Sequence, residues 1–216
     1  AGSSYAVDIS KVVDGHRAER HDEVAVEEPL EIRLAYSTPD GRATRSISIT
    51  MRTPGNDSEL AAGFLYSESI IRGQSDITAI ETCGPPAPDS GNHNVVRVEL
   101  SPDTEVDLRR LQRHFYTTSS CGVCGKTSLD ALRVMGVAPL SDNALVFKRS
   151  VLTAIPDSLQ AAQATFERTG GLHAAAAFDT AGNLFVTRED VGRHNAVGGA
   201  GAKQQADQPE QQAMPA

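Results

Sequence analysis

Polar and apolar side chains alternate along residues 30–53, and the turn sequence Pro39-Asp40-Gly41 interrupts the alternation halfway. A strand places successive side chains on opposite faces of its sheet, so alternation indicates a strand with one buried face. Proline, aspartate and glycine each favour the backbone angles of a tight turn. The stretch therefore predicts a β-hairpin, and a hairpin must find a partner layer for its apolar face.

Residues 56–73 predict a helix that supplies this layer. Asp57 or Ser58 can cap its start, Leu60, Phe64 and Ile71 give it an apolar face, and Gly73 can end it. Two short strands are predicted around Ile77 and over residues 95–100, with a loop carrying Cys83 between them. We expect residues 29–115 to form a small α/β subdomain.

The second half of the chain predicts a different unit, over residues 116–197. A short helix expected at 106–114 precedes this unit and ends the subdomain over residues 29–115. Within the unit, a short helix is expected at 127–136, after a cysteine-containing loop, and a longer helix at 156–168 that Pro156 opens and Gly170-Gly171 closes. A strand, a turn and a strand follow over residues 172–190, and Asp190 can cap a final helix. We expect residues 1–28 to be a polar segment without regular periodicity, and residues 198–216 a disordered tail rich in glycine, alanine and glutamine.

Composition excludes some classes of function. The 216 residues carry a formal net charge of −8, whereas general nucleic-acid binders have a basic excess. No apolar run is long enough to span a membrane, and the N-terminus lacks the pattern of a secretory signal. We expect a cytoplasmic protein that binds neither nucleic acid nor membrane.

The motif SSCGVCGK places Cys121 and Cys124 three residues apart in a small, polar setting just before the helix predicted at residues 127–136. A thiol is nucleophilic as its thiolate, and both a helix N-terminus and the neighbouring Lys126 lower the pKa of a thiol. Between residues 109 and 133 the chain has five arginine or lysine residues against the single acidic Asp130. The pattern indicates a reactive site.

Four interpretations of the pair are open on these residues alone. Zinc would need further ligands from Cys83, His114, His173 or His194, and the sequence has neither a second Cys-x-x-Cys nor a closely spaced histidine pair. The Cys-x-x-Cys motif of thioredoxin-like disulfide exchange normally follows a strand, and the polar YTTSS before this pair does not predict one. A sulfur carrier needs a mobile, exposed loop, which the glycines favour. The pair could also be two buried, unreactive thiols.

Two further clusters are candidates for ligand binding. Gly170, Gly171 and His173 precede a strand, and five polar residues concentrate at the predicted start of the last helix: Glu189, Asp190, Arg193, His194 and Asn195. Helix starts favour anions, and glycines allow close approach of backbone to a ligand. A third patch, with Arg52, Thr53 and Gly55, joins the hairpin to its helix and could present amides to a phosphate. Each residue alone is more often structural.

Four motifs in this order, RTPGNDSELAAGFLYSESII, SSCGVCGK, TGGLHAAAAF and EDVGRHNAV, closely resemble the FdhD family of sulfur carriers required for formate dehydrogenase activity. The resemblance implies a mixed α/β fold: a cytidine-deaminase-like three-layer sandwich with a small added subdomain. It also implies a homodimeric sulfurtransferase that holds a persulfide on Cys121, with Cys124 as its companion and Lys126 in support.

The resemblance further implies that a cysteine desulfurase supplies the sulfur. The family passes it to the molybdenum or tungsten bis-molybdopterin guanine dinucleotide cofactor of formate dehydrogenase. We expect the residues of the three clusters to line one pocket for this cargo, with no cofactor or metal bound permanently.

This sequence departs from the family pattern after GRHNA. Gly198 and Gly199 stand where the family has an Asp-Lys pair, so we expect the C-terminal part of the fold to be incomplete and guanine-dinucleotide binding to be affected. The alternative is a non-catalytic, zinc- or nucleotide-binding module of the deaminase fold. The order of the motifs argues against deamination, because active deaminases place His-x-Glu before Pro-Cys-x-x-Cys and here the cysteine pair comes first.

Overall fold

The structure is a computed structural model that describes residues 2–106 and 146–207. These residues form eight strands, four α-helices and one short 3₁₀ turn, Gln74–Asp76. The strands are β1 Ser4–Val13, β2 His16–Ala25, β3 Glu28–Thr38, β4 Gly41–Arg52, β5 Ile77–Pro86, β6 His93–Leu100, β7 His173–Phe178 and β8 Leu184–Asp190. The helices are α1 Asp57–Ser67, α2 Arg149–Ala161, α3 Ala164–Thr169 and α4 Arg193–Asp207.

Four strands form the central sheet in the order β4-β3-β6-β5, with β3 and β6 parallel and the other pairs antiparallel. Alternate side chains of β3 point to one face, as period-two patterning requires. That face packs against α1, and together they bury a core of aliphatic side chains at almost zero exposure: Leu30, Ile32, Leu34, Ile47, Leu65, Val96, Val98 and Leu100. The predicted hairpin over residues 30–53 is thereby confirmed.

The first 28 residues are more regular than predicted. β1 and β2 pair along their whole length around Asp14 and Gly15, which both have positive φ. Asp-Gly is a strong two-residue hairpin signal, and the mixed charges along both strands obscured it. The hairpin rests on α3, where Arg168 donates to Glu23 over 3.1 Å (Nε to Oε2).

Two boundaries in the central unit also differ from prediction. Helix α1 ends at Ser67 instead of continuing toward Gly73, because the chain turns at Ser69, which has a φ of 55°, and the amide of Ile70 returns to the carbonyl of Leu65. Cys83 lies within β5, paired with Val95, and not in a loop. The predicted helices at residues 106–114 and 127–136 fall almost wholly outside the described residues.

The helix predicted over residues 156–168 is in fact two helices. Helix α2 begins at Arg149 and contains Pro156 in its interior, and α3 begins after Gln163. The break between α2 and α3 is stabilised by a residue distant in the sequence, because Glu189 accepts hydrogen bonds from the amides of Thr165 and Phe166 at the start of α3. The apolar side chain of Phe166 is 37% exposed.

The strands predicted within residues 172–190 are confirmed as β7 and β8, and the predicted final helix is confirmed as α4. The expectation of a disordered tail from Gly198 was wrong up to Asp207, because α4 continues to that residue. Glycine is a poor helix former, so packing against α1 compensates for the glycines in α4. Residues 208–216 lie outside the described part.

Helices α1 and α4 cross in backbone contact. A Cβ placed on Gly63 would lie 2.1 Å from the carbonyl oxygen of Gly198, which is far inside contact distance. The same construction on Gly198 meets the carbonyl carbon of Gly63 at 3.5 Å, an ordinary contact. The crossing therefore requires glycine on α1 and tolerates a methyl group on α4.

The mixed α/β class is confirmed. The division into domains stays a prediction, because its boundary near residue 116 falls outside the described residues. Among the helices of the described ranges, none combines the length and the apolar character that a membrane crossing needs.

The crossing predicts unequal effects of two matched substitutions. Gly63→Ala should lower the free energy of unfolding by about 1–3 kcal/mol, because overpacking outweighs the gain in helix propensity. Gly198→Ala should change it by less than about 1 kcal/mol or raise it. Urea unfolding of the full chain measures both values, and equal effects would contradict the described crossing.

Candidate functional site

The candidate residues fall into two groups. Cys121, Cys124 and Lys126 lie outside the described residues. The others lie in or next to the turns where β4 enters α1 and β8 enters α4, or at the start of β7 and just before it, and the structure brings the two turns together. The turns are named here the β4–α1 turn, residues 53–56, and the β8–α4 turn, residues 191–192.

Arg52 closes the β4–α1 turn from the inside. Its side chain is fully buried, and its guanidinium binds the carboxylate of Asp57 with two hydrogen bonds of 2.9 and 3.0 Å. It also donates to Asn94 at 2.8 Å and lies 3.6 Å from a carboxylate oxygen of Glu28. Since buried guanidinium groups need such partners, we assign Arg52 to positioning the turn and not to contacting a ligand.

Asp190 joins the two turns. Its side chain is buried, and its carboxylate accepts the amide of Thr53 at 3.1 Å, the amide of Gly192 at 2.7 Å and the side-chain amide of Asn195 at 2.9 Å. One donor belongs to the β4–α1 turn, one to the β8–α4 turn and one to the first turn of α4. A single carboxylate thus joins the start of α4 to the β4–α1 turn, whose Thr53 is 137 positions away in the sequence.

Asn195 completes this joint. Its side-chain nitrogen has two protons, and beside the bond to Asp190 it donates to the carbonyl oxygen of Met51 at 2.8 Å. Both donors of the amide are therefore used within the chain. Asp190 and Asn195, predicted as ligand-binding residues, form an internal connection in this structure.

Comparison with a second aspartate shows how burial affects the pKa of a carboxylate that accepts such hydrogen bonds. Asp179, at the far end of the β7–β8 hairpin, also accepts two backbone amides, those of Ala181 and Asn183, and the side-chain amide of Asn183. The hydrogen bond from the Asn183 side chain is the main reason that the pKa of Asp179 is lowered. Burial raises the pKa of Asp190 despite its equivalent hydrogen bonds, because desolvation disfavours the charged form.

The remaining predicted residues have two kinds of environment. Glu189 is occupied in capping α3, and Gly170 ends that helix with a φ of 65°, followed by Gly171. The side chains of His173, Arg193 and His194 are exposed, and they make no hydrogen bond or ion pair within the described ranges.

These three exposed residues share one region. His173 is the sheet partner of Asp190, and Arg193 and His194 are the first two residues of α4. Arginine and histidine are good partners for anionic groups, as is the start of a helix. They are therefore the predicted residues best placed to contact an anionic ligand.

A pocket of about 260 Å³ lies at the start of α1. Gly55, with a φ of 136° that favours glycine, lies on its rim. Nearby, the hydroxyl of Thr53 is buried and makes no hydrogen bond within the described residues. The pocket is lined by Gly55, Asn56, Asp57, Ser58, Glu59 and Thr82.

Sequence reasoning missed the ion pair between Glu59 and Arg188, which joins α1 to β8. Arg188 donates to Glu59 through both Nε and Nη2, the latter over 2.8 Å. Glu59 and Arg188 are 129 positions apart in the sequence, so no local pattern indicates that they pair. The opposite charges of Arg52 and Asp57 around Pro54-Gly55 were a signal that could have indicated the closed turn.

Within the described residues, no group of three or more histidine, cysteine, aspartate or glutamate side chains could hold a metal ion. The candidate zinc ligands Cys121, Cys124 and His114 are not among these residues.

Comparison with known proteins gives a consistent result. The model of the FdhD/NarQ family matches residues 25–210. Two relatives, from Streptomyces coelicolor and Streptomyces avermitilis, are each called sulfur carrier protein FdhD and are 47% and 46% identical over 191 residues. Each match covers 88% of this chain and 65% of the relative, so the chain spans slightly less than two thirds of their length.

The fold is also similar to a solved structure. The crystal structure of a protein from Desulfotalea psychrophila, described as a formate dehydrogenase accessory protein, matches with a TM-score of 0.61 and 23% identity. The match covers 94% of this chain and 69% of that protein. At this identity the likeness establishes the fold.

The two aspartates should affect stability with opposite dependence on pH. The folded chain holds the proton of Asp190 more tightly than the unfolded chain, so the contribution of Asp190 falls as pH rises above about 4, the usual aspartate value. The contribution of Asp179, whose folded pKa is lowered, is present above that value and is lost as pH falls.

Urea unfolding at a series of acidic to neutral pH values tests this. The difference in unfolding free energy between wild type and Asp190→Asn should decrease with rising pH, and the difference between wild type and Asp179→Asn should increase. If the two differences changed with pH in the same direction, burial would not be what sets the pKa of Asp190.

Proposed function

Because this chain belongs to the FdhD/NarQ family, we propose that it is a sulfur carrier that serves a formate dehydrogenase. The observation that carries the proposal is the 47% identity to a sulfur carrier protein over 191 residues. The family match, residues 25–210, includes both Cys121 and Cys124. The proposed activity is that of a sulfurtransferase with a cysteine persulfide intermediate.

The first step is acceptance of sulfur by Cys121. Its thiolate attacks the outer sulfur of a persulfide held by a cysteine desulfurase; a new sulfur–sulfur bond forms and the old one breaks. The desulfurase cysteine leaves as a thiolate, so no external oxidant or reductant is needed. Lys126 favours the step because a neighbouring cation stabilises the thiolate. Cys124 acts in onward transfer.

The proposed acceptor of the sulfur is a molybdenum or tungsten bis-molybdopterin guanine dinucleotide, which is cargo and not a resident cofactor. Such a molecule carries several phosphate charges. His173, Arg193 and His194 support its binding, since their side chains are exposed and unpaired in the described part of the chain. Gly55, Gly170 and Gly171 lie in the connections beside them, and Arg52, Thr53, Glu189, Asp190 and Asn195 support this surface from within.

The partners in this proposal are a cysteine desulfurase as donor and a formate dehydrogenase as recipient of the sulfurated cofactor. We place the reaction in the cytoplasm and expect the carrier to act as a homodimer.

Sulfur acceptance can be tested by intact mass. After incubation with a cysteine desulfurase and cysteine, the wild-type chain should gain the mass of one sulfur atom. Cys121→Ser should abolish this gain, and Cys124→Ser should retain it while slowing transfer to an acceptor. Cys83→Ser is the matched control, because Cys83 lies in β5 of the central sheet, and it should label like wild type.

Undiminished labelling of Cys121→Ser would refute the assignment of the persulfide cysteine. Metal analysis of the same samples tests the alternative of a zinc-binding, non-catalytic module. Stoichiometric zinc in the wild type that is lost in Cys121→Ser would favour that alternative over sulfur transfer.

Cargo binding can be tested with guanosine diphosphate, a fragment with the charged and guanine parts of the proposed cargo. Arg193→Glu should weaken its binding about tenfold or more, because a charge-assisted hydrogen bond is replaced by repulsion. Lys203→Glu is the control: it makes the same change of charge on the same helix but ten positions further on. Calorimetric titration in which both variants weaken binding equally would indicate only a general effect of net charge.

A further inference from the structure

Three segments meet at Asp190, and the surface proposed to bind cargo is built on them. The β4–α1 turn leads into the pocket at the start of α1, and α4 begins with Arg193 and His194. His173 lies directly across the hairpin from Asp190. The relative position of these groups is therefore set by whatever holds the two turns together.

We infer that Asp190 is a positioning residue: its carboxylate locks the β4–α1 turn to the start of α4 and so fixes the spacing of the groups that contact the cargo. This inference rests on the proposed function for the identity of the ligand. Asp190 does not itself contact the ligand, since its side chain is 5% exposed and its oxygens already accept three hydrogen bonds.

The geometry makes the carboxylate specifically necessary. One oxygen accepts the amide of Gly192 and the side chain of Asn195, and the other accepts the amide of Thr53. All three partners are donors, so both oxygens must be acceptors. An asparagine of the same shape would turn an NH₂ group toward at least one donor, and one of the two turns would be released.

The β4–α1 turn has a second set of contacts that does not involve Asp190. Arg52 and Asp57 close the turn with a double hydrogen bond from the buried guanidinium, and this bond stays in place when Asp190 is changed. Glu59 and Arg188 keep α1 near β8 beyond the turn. Loss of the Asp190 contact should therefore shift the turn relative to α4 without unfolding either element.

Asp179→Asn is a close control for Asp190→Asn. Both aspartates belong to the β7–β8 hairpin. Each carboxylate accepts hydrogen bonds from two backbone amides and from one asparagine side chain, and each substitution removes it. Of the two aspartates, only Asp190 accepts a hydrogen bond from the β4–α1 turn, donated by the amide of Thr53. A general effect of losing such a cap should appear in both variants, and a positioning effect in Asp190→Asn alone.

The experiment measures amide hydrogen exchange by NMR and binding of guanosine diphosphate in the full chain. In Asp190→Asn, whichever of the amides of Thr53 and Gly192 faces the new NH₂ group should exchange at least tenfold faster, and binding should weaken several-fold, while Cys121 still gains a sulfur atom. Asp179→Asn should leave binding and exchange at Thr53 and Gly192 unchanged, because the amides of Ala181 and Asn183 share one oxygen that an asparagine can still supply.

Unchanged exchange at both Thr53 and Gly192 in Asp190→Asn, or equal loss of binding in both variants, would overturn the inference. If Asp190→Asn does not fold, Asn195→Ala takes its place. It removes the link to Met51 and one of the three bonds to Asp190, and it should give the same changes to a smaller degree. Failure of wild type to bind the nucleotide, with exchange responding as expected, would refute the proposed cargo and leave the joint established.

Discussion

One buried carboxylate links the two units of the described chain. The first unit is the central sheet with α1, the second is the β7–β8 hairpin with α4, and the two helices also pack against each other. Asp190 connects them by accepting hydrogen bonds from both, at the point where two strands enter two helices. Burial of the charged group is unfavourable, so its retention there requires that all of its hydrogen bonds be made.

Two further contacts also hold the two units together. Gly63 lets the backbone of α4 approach α1 closely, and Glu59 and Arg188 form an ion pair beside this crossing. The starts of the two helices lie close together, because Thr53, shortly before α1, donates to Asp190, shortly before α4. An acidic group near a helix start is favourable, and Asp190 stands near both starts.

The sequence was sufficient for elements whose causes are local. Alternation around Pro39-Asp40-Gly41 predicted β3 and β4, and the pattern after Asp57 predicted the start of α1. Features that depend on distant partners could not be predicted in this way: the break between α2 and α3 requires Glu189, and the continuation of α4 through Gly198 requires α1. The same limit applies to the site, where Arg52 and Asp190 were recognised as important but their internal partners were not.

The two units are therefore expected to unfold as one cooperative body. Urea unfolding of the full chain, followed by amide exchange of peptides from β3 and from β8, tests this most directly. The account predicts that both peptides lose protection at the same urea concentration, because the joint couples their unfolding. Loss of protection in β8 at a clearly lower concentration than in β3 would show that the units are independent, and would contradict the central role given to Asp190.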